Sequence, residues 1–544
     1  MNRLQTWLFA GLSSSLLACG AGSIGGEDDP EKGPVIPGSS CEQAQVGAPV
    51  LRRLTALELE NSLRDIFPEL GAAAWSGVRL GTDPTSELGF TNDAETLQVG
   101  AQTAKELLST AEEVAGVVTA EAALAASLPC AATQPGPACA AEFVARHGLR
   151  LFRRPVSEEE TGELLALHAS VSGKSDFRTG LKWTLVSMIQ SPHAFYRSEI
   201  GAPSGGRYAL SQHEIATALA YSTTGTTPTP ELLDKAARGE LGSPEALVEE
   251  ARALLSSPRG HEALSRFLQQ WLRYGKVNGI AKEKLPDFST YGALMQEETR
   301  LFLEEVIYTR GAGVTELLTA PYTFLDAQLS TFYGYGSVTG QGFQRVERPA
   351  EWSVGLLAHG SILAGNSRMD SSSPTHRGLL VFERLLCGYI PPPPENIPAI
   401  TKPDPGKTTT RARYEEIHIS ADACNVCHAL MDPTGFALEH FDETGRYRAD
   451  EGGLAIDDAG YIAVAGEERP VVGARGLAET LAATPEVTEC VSKLGSAYTY
   501  GGVLGSECAI GEVQQGLMSG ELGLLEFFAR LAGTEHMRAR VRRE

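Results

Sequence analysis

Cys424-Asn-Val-Cys427-His428 is the densest grouping of chemistry-bearing side chains in this chain of 544 residues. Two thiols at this spacing can form thioethers with the two vinyl groups of a haem, and the imidazole that follows can supply an axial nitrogen to iron. Cys424 and Cys427 are therefore candidate covalent anchors for haem c, and His428 is the candidate ligand to haem iron. Spacing assigns no partner to the opposite iron position. Met431 follows His428 too closely and would lie on the same side of a haem, while His418, Met369 and Met518 could approach only through folding. A five-coordinate haem would point toward small-molecule or peroxide chemistry rather than plain electron transfer.

Two plainer chemistries fit the same residues. Cys424 and Cys427 can close a small disulfide. Alternatively, His418, Cys424, Cys427 and His428 can hold a structural zinc. Adjacent Cys427 and His428 rarely serve one tetrahedral ion, so His418 and Cys387 would then be needed. Among the other cysteines, Cys130/Cys139 and Cys490/Cys508 are plausible bridges closing short loops, which leaves Cys41 and Cys387 without assigned partners.

The residues after the motif read as structure. Asp432-Pro433-Thr434-Gly435 suits a turn. A short helix with Phe436, Leu438 and Phe441 inward is expected next, with Glu439, Asp442, Arg446 and Arg448 as an ion-pair and capping network. Ser373 and His376 form no recognisable triad, and Asp457 and Asp458, although suited to calcium, read as a turn. The phosphate-binding P-loop, the dinucleotide glycine fingerprint, HExxH and GxSxG are all absent. No catalytic residue set, and no substrate, is named by these residues.

The compartment bears on the haem reading. Residues 1–18 have an early Arg3 and an apolar stretch from Trp7 to Leu17, too short to span a bilayer and typical of a secretory signal. Leu16-Leu17-Ala18-Cys19 resembles a lipobox, which makes Cys19 the expected lipidated first residue of the mature chain; the alternative is ordinary cleavage near Ala21. Gly20 after the cysteine suits delivery to the outer membrane, at its periplasmic or outer face. Residues 19–49, rich in Gly, Ser, Pro and acid, read as a flexible tether. The expected partners are thus the membrane, through the lipid anchor, and a redox protein. A net charge of −22 provides no phosphate-neutralising surface, so nucleic acid is not expected as a partner.

Helices must position the motif. Thr55/Glu58, Ser157/Glu160 and Ser211/Glu214 are capping-box pairs within apolar periodic stretches at 51–67, 156–171 and 210–222. Thr229-Pro230 and Ser243-Pro244 open two more helices, and others fit 261–275 and 295–311. Strand signals are sparse, the best being a hairpin within 453–464 turning at Asp457–Gly460. The fold class is therefore mainly α, multi-domain, with a small β-hairpin near the C-terminal third. Breaks in composition place helical modules at 50–128, 129–203 and 204–348, a CxxCH-containing module at 349–465 and a C-terminal helical module at 466–544. Prolines 391–394 require extended chain over 391–398. Trp183, Phe267 and Trp271 are expected in the core, and the scattered His147, His168, His193, His213 and His261 at the surface or as satisfied core residues.

Several stretches together resemble the modular planctomycete-specific domain (PSD) proteins, which also occur in myxobacteria and are largely uncharacterised. They are LRRLTALELENSLRDIF, GFTNDAETLQV, ARHGLRLFRRPVSEEE, LSQHEIATALAYS, RGLLVFERLLCGYIPPPP and CNVCHALMDPTGFALEHFDETGRYR, in the order usual for that family. The resemblance implies an exported multi-domain protein with a redox link, since many members are fused to or encoded beside cytochrome-c-like domains. This chain lacks such a separate domain, so its own Cys424, Cys427 and His428 would have to provide any haem.

Overall fold

The helices begin where the sequence supplies their caps. A computed structural model describes residues 46–541 except 69, 72–74, 76–79, 337, 339, 350–351, 353–354, 393–406, 420–421 and 503–509. Cys19, the tether up to residue 45, Cys41, Cys508 and the proline-rich run from residue 393 onward lie outside the described residues. Thr55, Ser157 and Ser211 accept the backbone N–H three residues ahead, and Glu58, Glu160 and Glu214 accept the N–H of the cap itself. Each reciprocal cap satisfies two otherwise orphaned donors and stabilises its helix by about 1 kcal/mol. Thr229, Ser243 and Ser257 likewise cap Pro230–Arg238, Pro244–Leu255 and Pro258–Leu272, each with proline in its first turn.

The described residues are mainly helical, 59% helix against 10% strand, with small antiparallel strand pairs. Two expected elements are displaced. The helix expected over 51–67 spans Ala56–Ile66, because Thr55 is its cap and Val50–Arg53 instead pairs antiparallel with Tyr196–Glu199. The C-terminal hairpin joins Ala459–Val464 to Glu467–Val472. Its turn is Ala465-Gly466, at φ 51° and 81°, and not Asp457–Gly460. Two consecutive left-handed residues match the twist of a two-residue hairpin, which Asp457–Gly460 does not provide.

Among the described residues, apolar side chains gather in three clusters. One is drawn largely from residues 54–195 and includes Leu63, Phe67, Val114, Phe143 and Leu185. The largest contains Trp271, Phe302, Leu356, Phe441, Leu477 and Phe527, so the segment after the motif is anchored in it through Phe441. A small third cluster is centred on Val277, Phe288 and Met295. Trp271 and Phe267 are buried as expected, whereas Trp183 is 40% exposed. Its helix, Phe177–Gln190, turns Leu181, Leu185 and Met188 inward and leaves Trp183 on the outer face.

Both ends of the described chain meet at Glu199. This buried carboxylate pairs with Arg52 at 3.0 Å, with Arg197 at 3.5 Å and with Arg540. Burial opposes its ionisation, but the three guanidinium groups outweigh it and hold the carboxyl far below the usual range. Beside them the Val541 N–H donates to the Gly47 carbonyl at 3.0 Å, and Ala539–Arg540 pairs with Tyr208–Ala209.

Candidate cofactor site at the Cys424–His428 helix

Cys424, Cys427 and His428 lie on one short helix, Asp422–His428. Cys424 and Cys427 are three apart and so share a helix face. Both are partly exposed free thiols, and Val426 between them is 75% exposed. The small disulfide that was the alternative to haem attachment is not formed between them.

Asp432 organises the imidazoles. It belongs to a second short helix, Asp432–Phe436, with Pro433 in its first turn, so the turn expected at 432–435 is helical. An Asp-Pro start suits a turn or a first helical turn equally, and here the backbone continues as helix. Asp432 is completely buried. His418 Nδ1 lies 2.8 Å from its Oδ2, and His428 Nδ1 lies 3.1 Å from the same oxygen. The Thr375 hydroxyl donates to Oδ1 at 2.5 Å. Burial opposes ionisation of Asp432, but hydrogen bonds from His418 and His428 outweigh it and hold the carboxyl below its ordinary value. The rings of His418 and His428 stack with centroids 3.6 Å apart, and Tyr414 stands edge-on to His418.

A helix and a guanidinium hold this arrangement in place. The Pro374–Arg384 helix, capped by Ser373, carries Thr375 toward Asp432. Two residues along it, the buried Arg377 donates to the carbonyls of Leu438, Phe441 and Asp442 and to the Ser367 hydroxyl, at 2.7–2.9 Å. Those carbonyls fix the segment following Asp432, where Phe436, Leu438 and Phe441 are all buried, as expected. The acid–base network expected after the motif is also present. Glu439 pairs with Arg448 at 2.9 Å and lies 3.6 Å from Arg377, while Asp442 Oδ1 accepts the N–H groups of Thr444 and Arg446. Burial raises the Glu439 carboxyl, against the pull of Arg377 and Arg448. Ser373 meets His376 Nδ1 at 2.9 Å, but its hydroxyl also caps the helix and is buried.

The other cysteines divide between expectation and correction. Cys130 and Cys139 are bridged, as expected. Cys490 is bridged to Cys387 and not to Cys508. The reason is packing: Cys490 is on the buried face of the Pro485–Tyr500 helix, with its sulfur 3.7 Å from the Arg384 carbonyl, just before Cys387 in the chain. That carbonyl also accepts the Trp271 indole N–H at 2.7 Å. Cys387 is therefore unavailable to a zinc ion at the motif.

Sequence reasoning missed Asp432 and Thr375. The usable signal was the spacing of His428 and Asp432, four apart, which places both on one side if helical backbone continues between them.

The donor set fits a c-type haem. Two free thiols are available for thioethers, and His428 is held through Nδ1 by a carboxylate, which leaves Nε2 as the ring nitrogen for a metal. His418 lies beside His428 rather than across from it, so it does not serve the opposite iron position in this arrangement. Met431 is buried, while Met369 and Met518 are 59% and 40% exposed.

Four family models match the chain in tandem. They are PSD3 (protein of unknown function, DUF1587) over 52–120, PSD5 (DUF1595) over 139–199, PSD4 (DUF1592) over 210–335 and PSCyt3 (DUF1588) over 353–451. The PSCyt3 match encloses the whole Cys424–His428–Asp432 arrangement. No curated protein and no solved structure matches the chain. With these modules in this order around a haem-compatible donor set, the chain belongs to the modular PSD-type family of uncharacterised proteins, its fourth module bearing a cytochrome-associated name.

Proposed function

We propose that the chain is an exported, lipid-anchored protein that carries one haem c on Cys424 and Cys427, with His428 as its axial ligand, for electron transfer or redox support of a partner protein. One observation carries this reading: two free, partly exposed thiols share a helix turn with a histidine whose Nδ1 is bound by a buried carboxylate. Haem, when bound, supplies a reversible one-electron iron centre. The protein's own contribution is orientation. Asp432 keeps the His428 proton at Nδ1 and leaves Nε2 with its lone pair, and Thr375 and Arg377 keep Asp432 and its segment in register. The signal-like residues 1–18 and Cys19 support export and anchoring at the outer membrane, the compartment where haem attachment and disulfides both occur. The PSCyt3 name supports the cytochrome association.

The test is expression with haem-attachment machinery, followed by spectroscopy and mass measurement under denaturing conditions. A Soret band and a one-haem mass increase that survive denaturation are expected, and both should be lost in C424S/C427S. Colourless protein at the unmodified mass would overturn the reading.

A further inference from the structure

Before any haem is attached, two imidazoles and one carboxylate already converge around a single point. One ring nitrogen of His418, one of His428 and one Asp432 oxygen lie within 4.8 Å of one another. The two nitrogen–oxygen edges are 2.8 and 3.1 Å. Ligand atoms each about 2.1 Å from one ion, at angles of about 90–110°, lie roughly 3.0–3.4 Å apart, so these two edges come close to those of a metal's coordination shell. Two imidazoles and a carboxylate suit zinc, cobalt or ferrous iron rather than calcium or magnesium. Thr375 fixes the second oxygen of Asp432, and Tyr414 packs edge-on against the His418 ring. The His428 side chain, 19% exposed, leaves the cluster open to solvent on one side.

We propose that, in the haem-free chain, His418, His428 and Asp432 bind one divalent transition-metal ion of the zinc and cobalt class, with water completing its coordination. This set differs from a cysteine-based zinc clip, because Cys387 is bridged to Cys490 and neither Cys424 nor Cys427 is needed. A metal at Nδ1 requires the imidazole proton to sit on Nε2. A neutral imidazole has one lone-pair nitrogen, so a metal at His428 Nδ1 and an iron at His428 Nε2 exclude each other. The proposal concerns the haem-free protein and stands or falls separately from the haem reading.

The test uses the full chain, secreted into an oxidising compartment of a host without haem-attachment machinery and stripped with chelator. Titration with Co²⁺ should give one saturable equivalent with visible absorption in the d–d region, displaced by Zn²⁺. H418A, H418Q and D432N should abolish that equivalent, and T375V should weaken it roughly tenfold. C424S/C427S should bind like the parent. No saturable binding by a chain whose circular dichroism shows the native helical content would overturn the proposal. So would an absorption dominated by thiolate charge transfer that disappears in C424S/C427S and survives in H418Q.

Discussion

Gly378 and Met431 touch backbone to backbone: a Cβ placed on Gly378 would overlap the Met431 carbonyl oxygen. Gly435 makes the matching contact with the Pro374 carbonyl on the other side of the crossing. This closeness lets Thr375 reach Asp432. Gly378→Ala should therefore push the two segments apart and cost about 1–3 kcal/mol, read as a lower urea midpoint. In cells that attach haem, it should also lower the fraction of chain carrying the cofactor. An unchanged midpoint would mean that the contact is not tight.

Where haem is attached as proposed, Asp432→Asn should raise its reduction potential. A buried carboxylate accepting the Nδ1 proton makes His428 a stronger electron donor, which favours ferric iron, and an amide does so less. Thr375→Val should shift the potential in the same direction by less, because it touches only the carboxylate. Spectroelectrochemical titration of the three proteins tests the order. Equal potentials would leave Asp432 with a purely structural role.

Acidification should destabilise the fold through His147. Its ring is packed against Phe67 and Phe143, and burial, aided by Arg146 and Arg150, pushes it down to about 4 from an ordinary value near 6.5. Between those two values the unfolded chain holds a proton that the folded chain lacks. Stability therefore falls as pH drops through this window, by on the order of 3 kcal/mol when it is crossed. His147→Gln removes this titration and should flatten the slope of urea midpoint against pH between 7 and 4. A parallel slope would assign the acid sensitivity to other groups.

The two bridges should differ in worth. Cys387–Cys490 joins residues 103 apart, whereas Cys130–Cys139 joins residues 9 apart. Loop-closure entropy makes the longer one more stabilising by about 2 kcal/mol. Thermal melting of C387S/C490S and C130S/C139S compares them directly. A larger loss in the second variant would show that native-state contacts, and not chain entropy, set the effect.

Local chemistry in this chain is written locally. Thr55/Glu58, Ser157/Glu160 and Ser211/Glu214 announce their helices because both halves of each cap lie within four residues. The donors Cys424, Cys427 and His428 are visible for the same reason. Cys387 and Cys490 are not, because their pairing depends on how the Pro485–Tyr500 helix packs near Arg384. Asp432 falls between these cases. Its residue type suits both a turn and a buried acceptor, and only the packing of Thr375, His418 and His428 around it decides between them. Trp183 shows the converse, since its apolar neighbours in sequence point inward while it points out.

The contact between Gly47 and Val541 makes the folded body nearly circular. A short linker could join those two residues, and new ends could be opened at an exposed turn elsewhere, with the fold kept. In the natural connectivity, a force pulling the two ends apart would act first on the Arg52–Glu199–Arg540 ion cluster and the short strands beside it. That clasp would unzip before the helices around Cys424–His428 felt any load.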